Sequence, residues 1–207
     1  MSELKNMIKD GEGPLLDFKF RIDDQKKIAR TLVAFANSHG GSLLIGVKDN
    51  GKVAGINPEE EFYMIEGAAD LHTQPRVDFE TKVWKEGHHL VLEVLVPKSK
   101  QKHKAVDEEG RFRSYVRVKD NTLVGNKILE KIWNLEKNGV NRPEKFDEAT
   151  MGFIRGIQEH QPATISKLYR GSKIPMKKVD SLLAVLVFWN IVIMEMTEDG
   201  TTYRTAD

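Results

Sequence analysis

The sequence predicts an α/β (α+β) protein built as two modules, a larger α/β domain over residues 1–140 and a smaller domain of three helices and a hairpin over 141–207. Three observations carry this reading. Short apolar strand-like runs alternate with stretches whose apolar residues recur at helical spacing. Glycine-, proline- and Asx-rich turns separate them. The polar stretch KNGVNRPEKFD (137–147) then interrupts the pattern with a Gly and a Pro and reads as a linker.

Residues 22–38 form a helix: Asp23 or Asp24 caps its start, and Ile28, Leu32, Phe35 and Ala36 recur at helical spacing. Gly40-Gly41 ends it. SLLIGV (42–47) is an apolar strand, KDNG a turn and KVAGI a return strand, so that 43–56 is a β-hairpin. Pro58-Glu59 opens a second helix that runs to about residue 71. Residues 77–85 and 88–96 make a second hairpin around Glu86-Gly87, and 112–118 is an alternating strand. Residues 127–135 are helical, with Ile128, Leu129 and Ile132 on one face. Beyond the linker, 148–160, 164–169 and 175–189 are helices, and 191–196 and 202–204 are strands around the turn EDG. Three helices followed by a hairpin is the winged-helix order, a variant of helix-turn-helix.

Composition bounds the function. The 207 residues are 40% hydrophobic and 30% charged, ordinary for a soluble globular protein. No run of 18 apolar residues spans a membrane, and MSELKNMIKDGEG lacks the apolar core of a signal peptide. There are no cysteines, which excludes disulfides, thiolate metal sites and a Cys nucleophile and fits a cytoplasmic protein. The net charge of +1 means that a nucleic-acid surface must come from local clustering.

AFANSHGGSLLIGVKDNGKVAGI (34–56) invites a phosphate-loop reading, which the order of elements rejects. In a phosphate loop a strand leads through glycines to a helix N-terminus; here a helix leads through Gly40-Gly41 to a strand, and no G-K-[ST] follows. The glycines read instead as a left-handed helix cap and a tight entry to the strand. Gly46 and Gly55 mark bulges or close backbone packing.

LLDFKF (15–20), AFANSHGGSLLIGVKDNG (34–51) with VAGI, and YVRVKDNT (115–122) resemble the Schlafen AlbA-like family of DNA-binding domains over about residues 8 to 135. Asp17 stands where the family pattern has the Glu of E-F-K, and Lys48 where it has the first Asp of G-V-D-D. The resemblance implies a mixed sheet in the first domain, and bacterial members often carry a C-terminal helix-turn-helix and are described as transcriptional regulators or RNA-binding proteins. In animal Schlafen proteins the matching region is an endoribonuclease on structured RNA such as transfer RNA. Its acidic residues correspond here to Glu12, Asp17 and Asp49, a candidate set for catalysis and for Mg²⁺ or Mn²⁺. Without that activity no cofactor is expected. Local roles account for the same residues: Asp17 pairing with Lys19, Asp49 capping its turn, and Glu12 in solvent.

Two basic clusters are candidate nucleic-acid contacts. The segment 98–119 holds eight Lys/Arg against three acids. Lys98, Lys100, Lys102 and Lys104 lie in a loop, and Arg111, Arg113 and Arg117 share strand parity, with Phe112 and Tyr115 interleaved. In the second domain Lys167, Arg170, Lys173, Lys177 and Lys178 fall on the turn and the start of the recognition helix. Glu195, Glu198 and Asp199 oppose phosphate at the wing and leave Arg204 as its main basic residue. LLAVLVFW (182–189) is apolar nearly all round, and its surplus, Val185 and Trp189, predicts a homodimer interface that would suit paired DNA half-sites. The function expected is DNA binding in transcriptional regulation, with RNA a second partner. A metal-dependent ribonuclease and a protein-interaction adaptor are the alternatives.

Overall fold

A computed structural model describes residues 3–141, 143–172 and 174–206. The chain divides into two compact units, 1–124 and 125–207. In chain order the first contains α1 (Glu3–Asp10), β1 (Leu16–Lys19), α2 (Gln25–Asn37), β2 (Gly41–Ile45), α3 (Pro58–His72), β3 (Thr73–Gln74), β4 (Glu80–Glu86), β5 (His89–Val96), β6 (Lys104–Val106), β7 (Phe112–Val118) and β8 (Asn121–Val124). The second contains α4 (Lys127–Asn138), α5 (Glu148–His160), β9 (Ala163–Thr164), α6 (Ile165–Gly171), α7 (Met176–Phe188), β10 (Val192–Thr197) and β11 (Gly200–Thr205).

The first unit has two sheets. One is mixed, in the order β1-β2-β5-β4, with β1 parallel to β2 and the other pairs antiparallel. The other is antiparallel, in the order β3-β6-β7-β8. Between them runs α2, capped by Asp24, whose carboxylate accepts from the N–H groups of Lys26 and Lys27. Its Leu32, Val33 and Phe35 share one core with Leu43, Ile45, Leu92 and Val94 of the mixed sheet and Ala105 and Tyr115 of the antiparallel sheet. Alternation sends Leu44 and Val91 to the opposite face of the mixed sheet, where Leu4, Met7 and Ile8 of α1 cover them.

The glycine pair is required by close packing. A Cβ on Gly41 would lie 2.5 Å from the Phe35 ring, and one on Gly40 would lie 2.8 Å from the Val96 carbonyl oxygen. Gly40 also takes φ +78° while its N–H donates to Phe35 O. The hairpin expected over 43–56 does not form. Only Val47 and Val53 bridge, Ala54 and Gly55 both donate to Gly46 O, and β2 takes β5 as its antiparallel partner. Positive φ at Gly46 and Gly55 turns the chain out of the extended path a return strand needs.

The second unit begins earlier than residue 141. Ile128 and Ile132 of α4 are buried with Leu183, Ala184 and Leu186 of α7, and Lys127 Nζ lies 2.8 Å from Asp180 on α7. The boundary expected at 140 therefore falls at 124, because α4 has its apolar face in the second core. Part of the apolar surplus assigned to a second subunit is met inside the unit. Helix α4 packs on α7, and the half-buried Trp189 lies against Phe146 and donates to Val140 O. The remaining elements form a small bundle on a sheet in the order β10-β11-β9.

We expect a fragment of residues 125–207 to unfold cooperatively. One starting at 141 loses Ile128, Ile132 and the Lys127–Asp180 pair and should lack a thermal transition in circular dichroism. A cooperative 141–207 fragment of equal midpoint would place α4 outside this core.

Candidate nucleic-acid interface and a buried charge cluster

Three of the predicted site residues meet around the ends of β1 and β7, Arg117 and Asp17 in the interior and Glu12 at the exposed edge of the cluster. Arg117, on β7, has 3% of its side chain exposed, and Asp17, on β1, has 6%; they are paired at 2.9 Å. The guanidinium also donates to the carbonyls of Gly13 and Leu16 and to Thr122 Oγ1, and it stacks 5.3 Å from the Phe35 ring centre. The other Asp17 oxygen lies 2.7 Å from Lys19 Nζ. Glu12 joins from the loop before β1. Its Oε1 accepts from Phe18 N–H at 2.8 Å. Burial first, and the Asp17 charge after it, push Glu12 above the usual carboxylate range, while the Phe18 N–H works in the opposite direction.

Arg117 is thus no phosphate ligand: its donors are spent inside the fold, and a buried guanidinium released from Asp17 would be uncompensated. The parity argument placed Arg111, Arg113 and Arg117 together, but Arg111 precedes β7 and is bound by Asp107 at 3.0 Å and Glu109 at 2.6 Å. Only Arg113 of the three is exposed without a carboxylate partner among the described residues. The carboxylate set also fails to close. Asp49 is exposed in the turn after β2, and among the described residues no three His, Asp or Glu side chains are arranged to hold a metal ion. The Asp17 oxygens face two cations and one Glu12 oxygen faces a backbone N–H, a donor set that does not fit Mg²⁺ or Mn²⁺.

The residues that shape the candidate interface lie in the family signature itself. Asn37, the last residue of α2, is 4% exposed. Its amide nitrogen donates to the carbonyls of His103 and Tyr115, both at 2.9 Å, and its oxygen accepts from His103 N–H at 2.8 Å. Ser38 Oγ accepts from Arg117 N–H. The His103 ring is held between Pro75 O and Ser99 Oγ, each at 2.8 Å; a carbonyl can only accept, which makes Nδ1 the protonated nitrogen. Ser99 N–H donates to Ala36 O, and half-buried Lys102 reaches Asn37 O. The loop before β6 is therefore pinned at 99, 102 and 103, and Lys98 and Lys100 are exposed on either side of the pin at 99. Lys104, expected in the loop, begins β6 and is exposed. Asn37 was legible as the one amide at the end of an otherwise apolar helical run; its partners, more than sixty residues away, were not.

In the second unit Lys177 and Lys178 are exposed in the first turn of α7, with no carboxylate partner among the described residues. Lys173 lies outside the described residues. Lys167 and Arg170 are exposed on α6 and border a cleft against α5. Arg204 is paired with Glu195 at 2.9 Å, so the basic residue of the hairpin is neutralised. At the base of α7, Asp180 accepts from Tyr169 O–H as well as from Lys127.

These features define a two-unit α/β protein with a buried acid–base cluster and basic residues on its surface. A family model described as Schlafen, AlbA_2 matches residues 12–124, and the chain belongs to that family. Among solved structures it is similar to the DIP2311 protein of Corynebacterium diphtheriae, with a TM-score of 0.46 and 14% identity over 91% of this chain and 34% of that one. It is also similar to the N-terminal domain of a RecG-related protein from Nitrosomonas europaea, with a TM-score of 0.37 and 19% identity over 72% and 93%. This chain thus spans about a third of the first. No helix among the described residues is long and apolar enough to cross a membrane.

Asp17→Asn should cost about 3–5 kcal/mol, the range for breaking a buried pair, read from urea unfolding; a cost below about 1 kcal/mol would mean the pair is solvated. Glu12→Gln tests the upward shift of Glu12. A raised folded-state pKa makes the wild type lose stability as pH rises from the ordinary glutamate range through the folded value. The glutamine variant should therefore be the more stable at pH 7, and the difference should vanish in acid.

Proposed function

We propose that this protein binds nucleic acid through two separate basic surfaces and acts as a DNA-binding transcriptional regulator. The observation that carries this reading is the placement of Lys177 and Lys178, exposed and without carboxylate partners among the described residues, in the first turn of α7, which follows α5, β9 and α6 and precedes the β10–β11 hairpin, the winged-helix order with α4 added in front. In a winged helix that turn meets the major groove. The family supports the same reading for the first unit, where Lys98, Lys100, Lys104 and Arg113 are the exposed cations of the second surface. A net charge of +1 gives little general attraction to polyanions, so affinity rests on these local groups.

Binding to duplex DNA should weaken steeply with salt. Each lysine that neutralises a phosphate contributes a slope of about −0.9 in log K against log salt, so Lys177→Gln with Lys178→Gln should flatten the slope by about 2, measured by fluorescence anisotropy. An unchanged slope would remove α7 from the interface. Parallel titrations of Lys98→Gln with Lys100→Gln against duplex DNA and structured RNA assign the first surface to one or the other. Metal-dependent cleavage of transfer RNA by the wild type would replace this reading with the nuclease.

A further inference from the structure

The second unit contains a cleft of about 940 Å³ between α5 and α6. Its floor is apolar, formed by the buried Phe153 and Leu168. One wall is the α5 backbone at Gly152 and Gly156, four residues apart and so on one helix face. Neither glycine is there for packing or for strain: a Cβ added at either would meet nothing within 4 Å, and neither has positive φ. Each is less favourable in a helix than alanine. What they provide is open space over the apolar floor. Around the rim stand Arg155, Lys167 and Arg170, against one acid, Glu159. None of the three has a carboxylate partner among the described residues, although the same unit pairs Lys127 with Asp180 and Arg204 with Glu195.

We infer that this cleft is a binding site for a small organic anion, with a flat apolar body seated on Phe153 and Leu168 and a phosphate, sulfonate or carboxylate held by the rim cations. The volume lies within the usual range of small-molecule pockets, about 300–1,000 Å³. Unpaired cations above a buried aromatic suit a ligand with one charged end and one apolar end. A nucleic-acid backbone presents phosphate without an apolar body and has no use for the floor. The site lies on different elements from the α7 lysines, and the inference stands whether or not those lysines bind DNA.

The experiment uses the full chain and two probes of similar apolar body, the anionic 8-anilinonaphthalene-1-sulfonate and the neutral N-phenyl-1-naphthylamine. The anion should bind saturably at one site with enhanced fluorescence and should raise the thermal midpoint, as a ligand of the native state does. It should bind at least about tenfold more tightly than the neutral probe, one tenfold being about 1.4 kcal/mol. Arg155→Gln with Arg170→Gln should remove that preference while leaving the neutral probe bound. Gly156→Leu, which adds a side chain into open space, should remove both. Circular dichroism checks that each variant is folded, and duplex-DNA titration of Gly156→Leu should match the wild type. Loss of DNA binding in the wild type with anion binding intact would sink the functional reading alone. Absence of saturable anion binding, a lowered midpoint, or binding indifferent to these substitutions would overturn the inference. So would displacement of the probe by poly-L-glutamate but by no small anion, which would assign the cleft to an acidic protein segment.

Discussion

The first unit holds two sheets on either side of one helix, and the contact that joins them is a buried ion pair, Asp17 of β1 with Arg117 of β7. Charges at this depth need compensating partners. Arg117 has three further acceptors and the face of Phe35, while the second Asp17 oxygen has the Lys19 ammonium 2.7 Å away as an ion-pair neighbour but no hydrogen bond. Asn37 does the same for neutral groups, by answering the His103 carbonyl and N–H in the loop before β6 and the Tyr115 carbonyl of β7. The A-F-A-N-S-x-G-G signature is thus a fastening: Phe35 under the guanidinium, Asn37 and Ser38 on β7 and the loop before β6, and the glycines allowing the close approach. Its resemblance to a phosphate loop is confined to composition.

That fastening also decides which charges reach solvent. The basic segment 98–119 looks continuous along the chain, but folding spends Arg117 in the core, pairs Arg111 with two acids and bends Lys102 onto the end of α2. The remaining cations are fewer and are presented by a loop pinned through His103 and Ser99. A surface built on such pins loses less conformational entropy on binding than a free lysine tail. The acidic positions the family resemblance singled out divide in the same way, Asp17 into the fold, Glu12 onto an exposed loop against Phe18 N–H, and Asp49 into a turn.

In the second unit one helix changes the account. The α4 segment was readable as a helix with an apolar face, and the polar stretch after it read as the domain break. Period and composition locate an apolar face but do not say which core receives it. Here Ile128 and Ile132 enter the core built by α7, and Lys127 reaches Asp180. Part of the excess of apolar residues on α7 is the counterpart of that docking, which also moves the boundary.

The sequence alone determined the class of fold, most helices to within a few residues, the strand after the glycine pair and the family. All of these rest on local signals: periodicity, caps, turn residues and a contiguous motif. It could not show β1, whose four residues LDFK combine an interior acid with apolar neighbours and carry no clean alternation. Nor could it show that 52–56 would not return as a strand, that Arg117 would be buried, or that Asp49 would stand apart from Glu12 and Asp17. Each of those depends on partners far along the chain, such as Asp17 and Arg117, one hundred residues apart. Pairing over such a distance is settled by packing and by the cost of an unmatched buried charge, which no local pattern encodes.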